Sequence, residues 1–290
     1  MRSSADAREA RELAHSDAFE QTEAVESVRY RLNPDLDGDR LARQFASSGR
    51  LHIPAFLAVE DAARLHQHLR NADGWRLIVN QGEKLFELER AAQESLTDEA
   101  RRALVDAVHA AARNEFQFMY EAIRVPDDAA ERAAKSDELS AFATFLSSAE
   151  VVSLLRRITG CEEIDFADAQ ATAYGLGHFL TSHDDDVEGK RRHAAYVFNL
   201  TPRWRTDWGG LLLFHRDDGH VAEAFTPSFN ALNLFKVPQP HSVSMVTPFA
   251  AARRYSVTGW LRSFADRPAG SGTGKAGTPM RPHTGGSVRP

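Results

Sequence analysis

The chain has one cysteine, Cys161, in 290 residues. That excludes an internal disulfide and any zinc site built mainly from thiolates, and it leads us to expect a reducing, cytoplasmic setting. No run approaches the ~20 apolar residues that span a bilayer. The opening stretch MRSSADAREARELAHSDAFEQTEAVES has no apolar core, so no secretory signal is expected. Excess positive charge is also missing: 35 Lys and Arg stand against 41 Asp and Glu, a net charge of −6. No attraction of the whole molecule for nucleic acid or an anionic membrane is expected. What is present, 42% hydrophobic and 26% charged residues, is the composition of an ordinary globular protein.

The chain divides unevenly. Residues 1–27 read as a polar helical or disordered lead, and residues 266–290, DRPAGSGTGKAGTPMRPHTGGSVRP, as a disordered Gly/Pro-rich tail. Such a tail buries too little apolar surface to offset its ordering entropy. Between them one domain, 28–265, changes texture near residue 160. Residues 28–160 read as mainly helical support. DGDRLARQFASSG stops at a glycine, and VEDAARLHQHLRN puts Ala62, Leu65 and Leu69 on one face. The longest predicted helix is TDEARRALVDAVHAAARNEFQFMYEAI. Thr97 caps it, Asp98 and Glu99 sit in its first turn, and its stripe runs through Leu104, Val108, Ala111, Phe116, Met119 and Ile123.

From about residue 161 the period drops toward two. DAQATAY, HAAYVFNL, GGLLLF, FNALNLFKV, HSVSMV and RRYSVTGWL are short, rich in β-branched and aromatic residues, and separated by turn residues. Strands in series without intervening helices predict an antiparallel sandwich or barrel, with the helices braced against one sheet.

Three His-x-Asp pairs occur: His15/Asp17, His183/Asp185 and His215/Asp217. The first lies in a helical stretch, where positions two apart diverge. The third opens HRDDG, which reads as a hairpin tip. The second follows the strand-like HFLTS, and on an extended backbone its two side chains share a face. His183 and Asp185 can therefore present an imidazole and a carboxylate to one ion, with Asp184 turned away and Asp186 solvated. His241, opening HSVSMV, is the best third ligand, although taken alone it reads more readily as a satisfied histidine at a strand edge. A two-histidine, one-carboxylate face leaves coordination positions open and suits non-heme Fe(II). The strand RRYSVTGWL then puts Arg254, Ser256, Thr258 and Trp260 on one face. An inward arginine needs an anion, and its fork with a nearby hydroxyl fits a carboxylate. Arg253 falls on the opposite face.

The ordered set HDD, WGGLLLF, HSV and RYSVTGW resembles the prolyl-hydroxylase-type 2-oxoglutarate/Fe(II) dioxygenases, over roughly Leu36 to Leu261. It is most similar to the branch containing ribosomal-protein prolyl hydroxylases. The resemblance implies an α+β fold, a double-stranded β-helix (jelly roll) braced by N-terminal helices, with its core in residues 161–265. It implies Fe(II) on His183, Asp185 and His241, and 2-oxoglutarate held through its distal carboxylate by Arg254. Tyr174 and Ser256 join the cosubstrate contacts. Asn199 stands where related enzymes often carry a tyrosine, so the cosubstrate contacts differ there. In WRTDWGGLLLF, Gly209 and Gly210 are expected to allow a bulge or a close strand approach, and Trp204 and Trp208 to pack.

The implied reaction consumes 2-oxoglutarate and O2, releases succinate and CO2, and hydroxylates a C–H bond, with ascorbate as a candidate reductant. A prolyl residue in a protein or peptide is the leading substrate. A free amino acid or small natural product is the alternative, and a non-catalytic 2-oxoglutarate or iron sensor is a third reading. No nucleic-acid or membrane partner is expected, and the sequence leaves oligomeric state open.

Overall fold

The computed structural model describes residues 30–264. The lead at 1–27 with its His15/Asp17 pair, and the tail at 266–290, lie outside the described residues. Among the described residues no single helix is long and apolar enough to cross a membrane.

The helical layer begins with α1 (Gly38–Ser48), capped by the Asp37 carboxylate on the Arg40 amide and ended by a left-handed Gly49. Helix α2 (Val59–Asn71) buries Ala62, Leu65 and Leu69. Helices α6 (Glu138–Leu146) and α7 (Ala149–Thr159) are capped by Asp137 and Ser148. Together these helices cover one face of the sheet, where Phe56 and Phe142 close on Phe198 at ring-centroid distances of 5.8 and 5.2 Å.

Residues 30–160 carry seven helices and, beyond the helical support that the sequence predicts, strands as well. They contain four strands: β1 (Arg50–Ile53), β2 (Arg76–Gln81), β3 (Lys84–Glu89) and β4 (Phe118–Arg124). Short helices α3 (Arg90–Glu94) and α5 (Ala129–Lys135) fill the connections. The long predicted helix divides. Its first part is α4 (Asp98–Ala112), capped by Thr97 Oγ1 on the Ala100 amide at 3.1 Å. Its second part, with Met119 and Ile123, is β4. Pairing decides this segment: β4 bonds to β2 on one side and, on the other, to β6 (Gln170–Tyr174) and β7 (Phe179–His183), which satisfies backbone groups a helix would have satisfied internally.

The remaining strands are β5 (Phe166–Ala167), β8 (Arg192–Asn199), β9 (Leu212–His215), β10 (Val221–Phe225), β11 (Ala231–Lys236), β12 (His241–Val243) and β13 (Arg254–Arg262). Most of β10 is exposed and it has no apolar alternation, so the sequence does not predict it. The order along the sheet is β1-β11-β8-β13-β6-β4-β7-β12-β9-β10, with every pairing antiparallel. At its corner β4 and β7 share two residue pairs, Phe118 with Leu180 and Met119 with Phe179. The two ends of the path meet through an ion pair between Arg50 on β1 and Glu223 on β10. The result is a nearly closed antiparallel barrel with helices on one side, a double-stranded β-helix.

Gly209 and Gly210 have φ of 70° and 64°, and a Cβ on Gly209 would lie 2.0 Å from the Met245 carbonyl oxygen. The glycines thus allow the chain before β9 to pass directly against the segment after β12. Trp204 packs beside them, donating Nε1–H to the Gly209 carbonyl at 2.8 Å and meeting Trp208 edge to face.

Candidate active site

A cavity of about 290 Å³ opens inside the barrel, and it is lined by His183, Asp185, His241, Tyr174, Arg254 and Ser256 among others. Six of the seven predicted site residues therefore share one space. Asn199 does not line it and stands behind Arg254.

Three elements deliver the His/Asp/His cluster. His183 ends β7, and His241 opens β12 as its direct cross-strand partner. Asp185 follows the end of β7 with φ of 65°, a left-handed conformation that aspartate tolerates better than most residues. The His183/Asp185 convergence is thus made by a turn and not by the strand alternation inferred from sequence. Arg192 holds that turn, donating Nη1–H to the Asp185 carbonyl at 3.0 Å. Asp184 is half-buried and Asp186 exposed, outside the cluster.

The two imidazoles have the same fixed tautomer. His183 Nδ1 is 3.0 Å from the Thr181 carbonyl and His241 Nδ1 is 2.8 Å from the Gln239 carbonyl. A carbonyl only accepts, so each Nδ1 carries the hydrogen and each Nε2 offers a lone pair. Those lone pairs face the two oxygens of Asp185, at 3.5 Å for His183 and 3.4 Å for His241. One ligand atom from each of the three lies within 4.8 Å of the others. Burial, reinforced by His183, pushes His241 down to about 4. The donor set is two imidazole nitrogens and one carboxylate. It fits a divalent ion of the non-heme iron type.

His215 stays out of this set. It ends β9 with Nε2 2.8 Å from Ser242 Oγ, and the turn after it closes through the Arg216 amide on the His220 carbonyl at 2.9 Å.

Across the cavity, Arg254 is 1% exposed. Its Nε and Nη1 have no hydrogen-bond partner, and Nη2 is 3.4 Å from Asn199 Oδ1. Burial pushes this guanidinium down to about 10, opposed by Tyr174, whose ring centre lies 5.2 Å from Cζ. A buried cation with two free donors requires an anionic ligand. Asn199 meanwhile donates to the Val197 and Ala231 carbonyls, each at 3.3 Å, so its amide oxygen is left aimed at the guanidinium. Ser256 shares a 2.8 Å hydroxyl contact with Thr172. Arg253 points to the other face, as predicted, but it is not merely a surface charge: it pairs with the buried Glu121, which Arg90 also holds at 3.2 Å.

Among the cavity residues that the sequence does not point to are Phe118, Tyr120 and Arg192. Phe118 and Tyr120 come from β4, the strand mistaken for helix, and Tyr120 stacks on Tyr174 at 5.3 Å. Arg192 lines the cavity with its Cζ 3.5 Å from the centre of the Trp260 ring. The Arg191–Arg192 pair was visible in the sequence, but nothing in the pattern said which one turns inward.

The comparisons with known proteins agree with this geometry. Residues 169–262 match a family described as the 2OG-Fe(II) oxygenase superfamily. The match spans the jelly-roll segment, 94 of the 290 residues, and it is this segment that is similar to that superfamily. Among curated proteins the chain is similar to prolyl 3-hydroxylase OGFOD1 of Xenopus laevis, 34% identical over 122 residues, covering 39% of this chain and 23% of the relative. The Mus musculus protein of the same name is 31% identical over 114 residues, covering 37% and 20%. The chain thus spans less than a quarter of the length of these relatives. Among solved structures, a Pseudomonas putida prolyl-4-hydroxylase gives a TM-score of 0.50 at 19% identity, covering 79% of this chain and 100% of that one. A Trichoplax adhaerens prolyl hydroxylase, in complex with a hypoxia inducible factor peptide fragment, gives 0.51 at 19% identity, covering 78% and 89%. At these identities the structures establish the shared fold.

Proposed function

We propose that this protein is a 2-oxoglutarate- and Fe(II)-dependent hydroxylase acting on a prolyl residue of a protein. The observation that carries the chemistry is one cavity holding both the His183/Asp185/His241 cluster and the Arg254 guanidinium, whose Nε and Nη1 have no hydrogen-bond partner. The names of the curated relatives favour a prolyl target.

Held by His183, Asp185 and His241, an Fe(II) ion would supply dioxygen activation coupled to decarboxylation of 2-oxoglutarate, with hydroxylation of a C–H bond as the outcome. The chain's own residues set the geometry. His183 and His241 give Nε2 lone pairs, oriented by their carbonyl-bonded Nδ1 atoms, and Asp185 supplies the charged ligand. Arg254 fixes the far carboxylate of 2-oxoglutarate with its Nε and Nη1 donors, backed by Asn199 and flanked by the Tyr174 ring. Ser256 places a hydroxyl beside that carboxylate. Phe118, Tyr120 and Phe235 wall the site with rings and keep bulk water away from the reacting carbon.

The test is succinate release by the iron-loaded protein on proline-containing peptides, with product hydroxyproline read by mass spectrometry. Peptide-stimulated succinate with a 16-dalton gain on proline is expected. Stimulation by free amino acids and by no peptide would replace the protein substrate with a small one.

A further inference from the structure

Next to Arg192 on β8, His193 meets two side chains from the loop after α7, Cys161 and Glu163. One ligand atom of each, the Cys161 sulfur, a Glu163 oxygen and a His193 ring nitrogen, lies within 4.8 Å of the other two. His193 Nδ1 is 3.7 Å from Glu163 Oε2, and its Nε2 is 3.1 Å from Ser263 Oγ. His193 Nδ1 thus faces the Glu163 carboxylate, and either a proton or a metal ion can sit between a ring nitrogen and a carboxylate so placed.

We propose that Cys161, Glu163 and His193 form a second cation site, separate from the jelly-roll cluster, for a thiophilic divalent ion, zinc foremost. Thiolate, imidazole and carboxylate are the ligands zinc takes from proteins. One thiolate and one carboxylate balance the charge of the ion. Zinc bonds of about 2.0–2.3 Å in a tetrahedron set ligand atoms roughly 3.3–3.7 Å apart. The cluster reaches that spacing by closing by ~1 Å, with water in the fourth position.

The scaffold is fixed before any ion arrives. Arg156 donates to the Ile164 carbonyl at 2.7 Å, the Asp165 amide donates to the Arg262 carbonyl at 2.8 Å, and the Cys161 amide donates to Thr159 Oγ1 at 3.3 Å. The Glu163 side chain is 46% exposed, which gives an ion access from solvent. An ion there braces the loop after α7 against the start of β8, one residue from the arginine that holds the Asp185 turn.

Cobalt(II) is the probe, in the protein carrying His183→Ala and His241→Ala so that the jelly-roll cluster loses two ligands. One equivalent is expected to raise a near-ultraviolet thiolate-to-cobalt band with the visible absorption of a four-coordinate ion, and zinc should erase both. In that background Cys161→Ser should abolish the sulfur band, and Glu163→Gln or His193→Gln should weaken binding by at least about tenfold. The unmodified chain supplies an arm that needs no variant. Cys161 is its single cysteine, so iodoacetamide labelling reads that thiol alone, and stoichiometric zinc should slow labelling by at least about tenfold. Absence of a sulfur band together with zinc-independent labelling overturns the proposal, and is the result a plain Glu163–His193 ion pair would give. A sulfur band that survives Cys161→Ser, or cobalt binding undiminished in both Glu163→Gln and His193→Gln, overturns it as well.

Discussion

Arg254 Nη2 stands 3.4 Å from Asn199 Oδ1 across two paired strands, the one polar side-chain contact that the described residues give this buried guanidinium. The remaining donors are left for a ligand. Charge-assisted hydrogen bonds contribute about 1.5–3 kcal/mol each, and breaking one partner of a buried ion pair costs about 3–5 kcal/mol. Arg254→Ala is therefore expected to weaken 2-oxoglutarate binding by at least about a hundredfold. Arg254→Lys recovers part of that, since lysine keeps the charge and loses the fork. Arg253→Ala leaves cosubstrate binding intact but destabilises the fold by about 1–3 kcal/mol, because buried Glu121 loses one of its two arginines. Isothermal titration with 2-oxoglutarate and a denaturation curve separate the two arginines.

The same contact predicts the effect of a single charge. Asn199→Asp puts a carboxylate where the amide oxygen now faces Arg254, and an internal ion pair competes with the ligand. Affinity for 2-oxoglutarate is expected to fall by at least about tenfold, with metal stoichiometry unchanged. Undiminished 2-oxoglutarate affinity in the folded variant would show that Asn199 does not orient the anchor.

Which parts were legible follows from what specifies each element. The strands from Gln170 onward carry their own β-branched and aromatic pattern, and the His183, Asp185, His241 and Arg254 positions could be read from it. β4 could not. FMYEAIR contains good helix formers and continues the period of α4, and only its pairing with β2, β6 and β7 makes it a strand. Losing β4 also lost Phe118 and Tyr120 from the site. β2 was readable in principle: RLIVNQ ahead of a left-handed Gly82 is a hairpin signal. Asp185 reaches the cluster with a φ of 65°, a turn that strand alternation does not describe.

His215→Ala and Asp217→Ala are expected to keep one iron per chain. The His215 ring is engaged by Ser242, and Asp217 lies in the exposed hairpin turn. Metal analysis after desalting reads this directly, and loss of iron from either variant would move the metal site toward β9.

Two buried histidines set an acid limit for the metal-free protein. Burial pushes both His178 and His241 down to about 4, helped by Arg253 for the first and His183 for the second. In the unfolded chain both titrate near about 6.5. Their stability contribution is thus fully present above that pH. As pH falls toward 4 the unfolded state takes up protons the folded state cannot, and stability drops by on the order of a few kcal/mol. Calorimetry should show Tm falling across this window, with a shallower slope in His178→Phe, which removes a titrating ring whose Nδ1 has no partner. A Tm that holds steady from 6.5 to 4 would contradict the buried neutral state.

The central claim is that one cavity holds iron on His183, Asp185 and His241 and, beside it, 2-oxoglutarate on Arg254. Its most direct test is anaerobic titration of the Fe(II) protein with 2-oxoglutarate, following the visible iron-to-keto-acid charge-transfer band. We expect the band to saturate at one equivalent. It should be absent in Asp185→Ala and His241→Ala, both still folded by circular dichroism, and should shift to much higher 2-oxoglutarate concentration in Arg254→Ala. A band of full intensity in folded His241→Ala, or an unchanged titration in Arg254→Ala, would contradict the account.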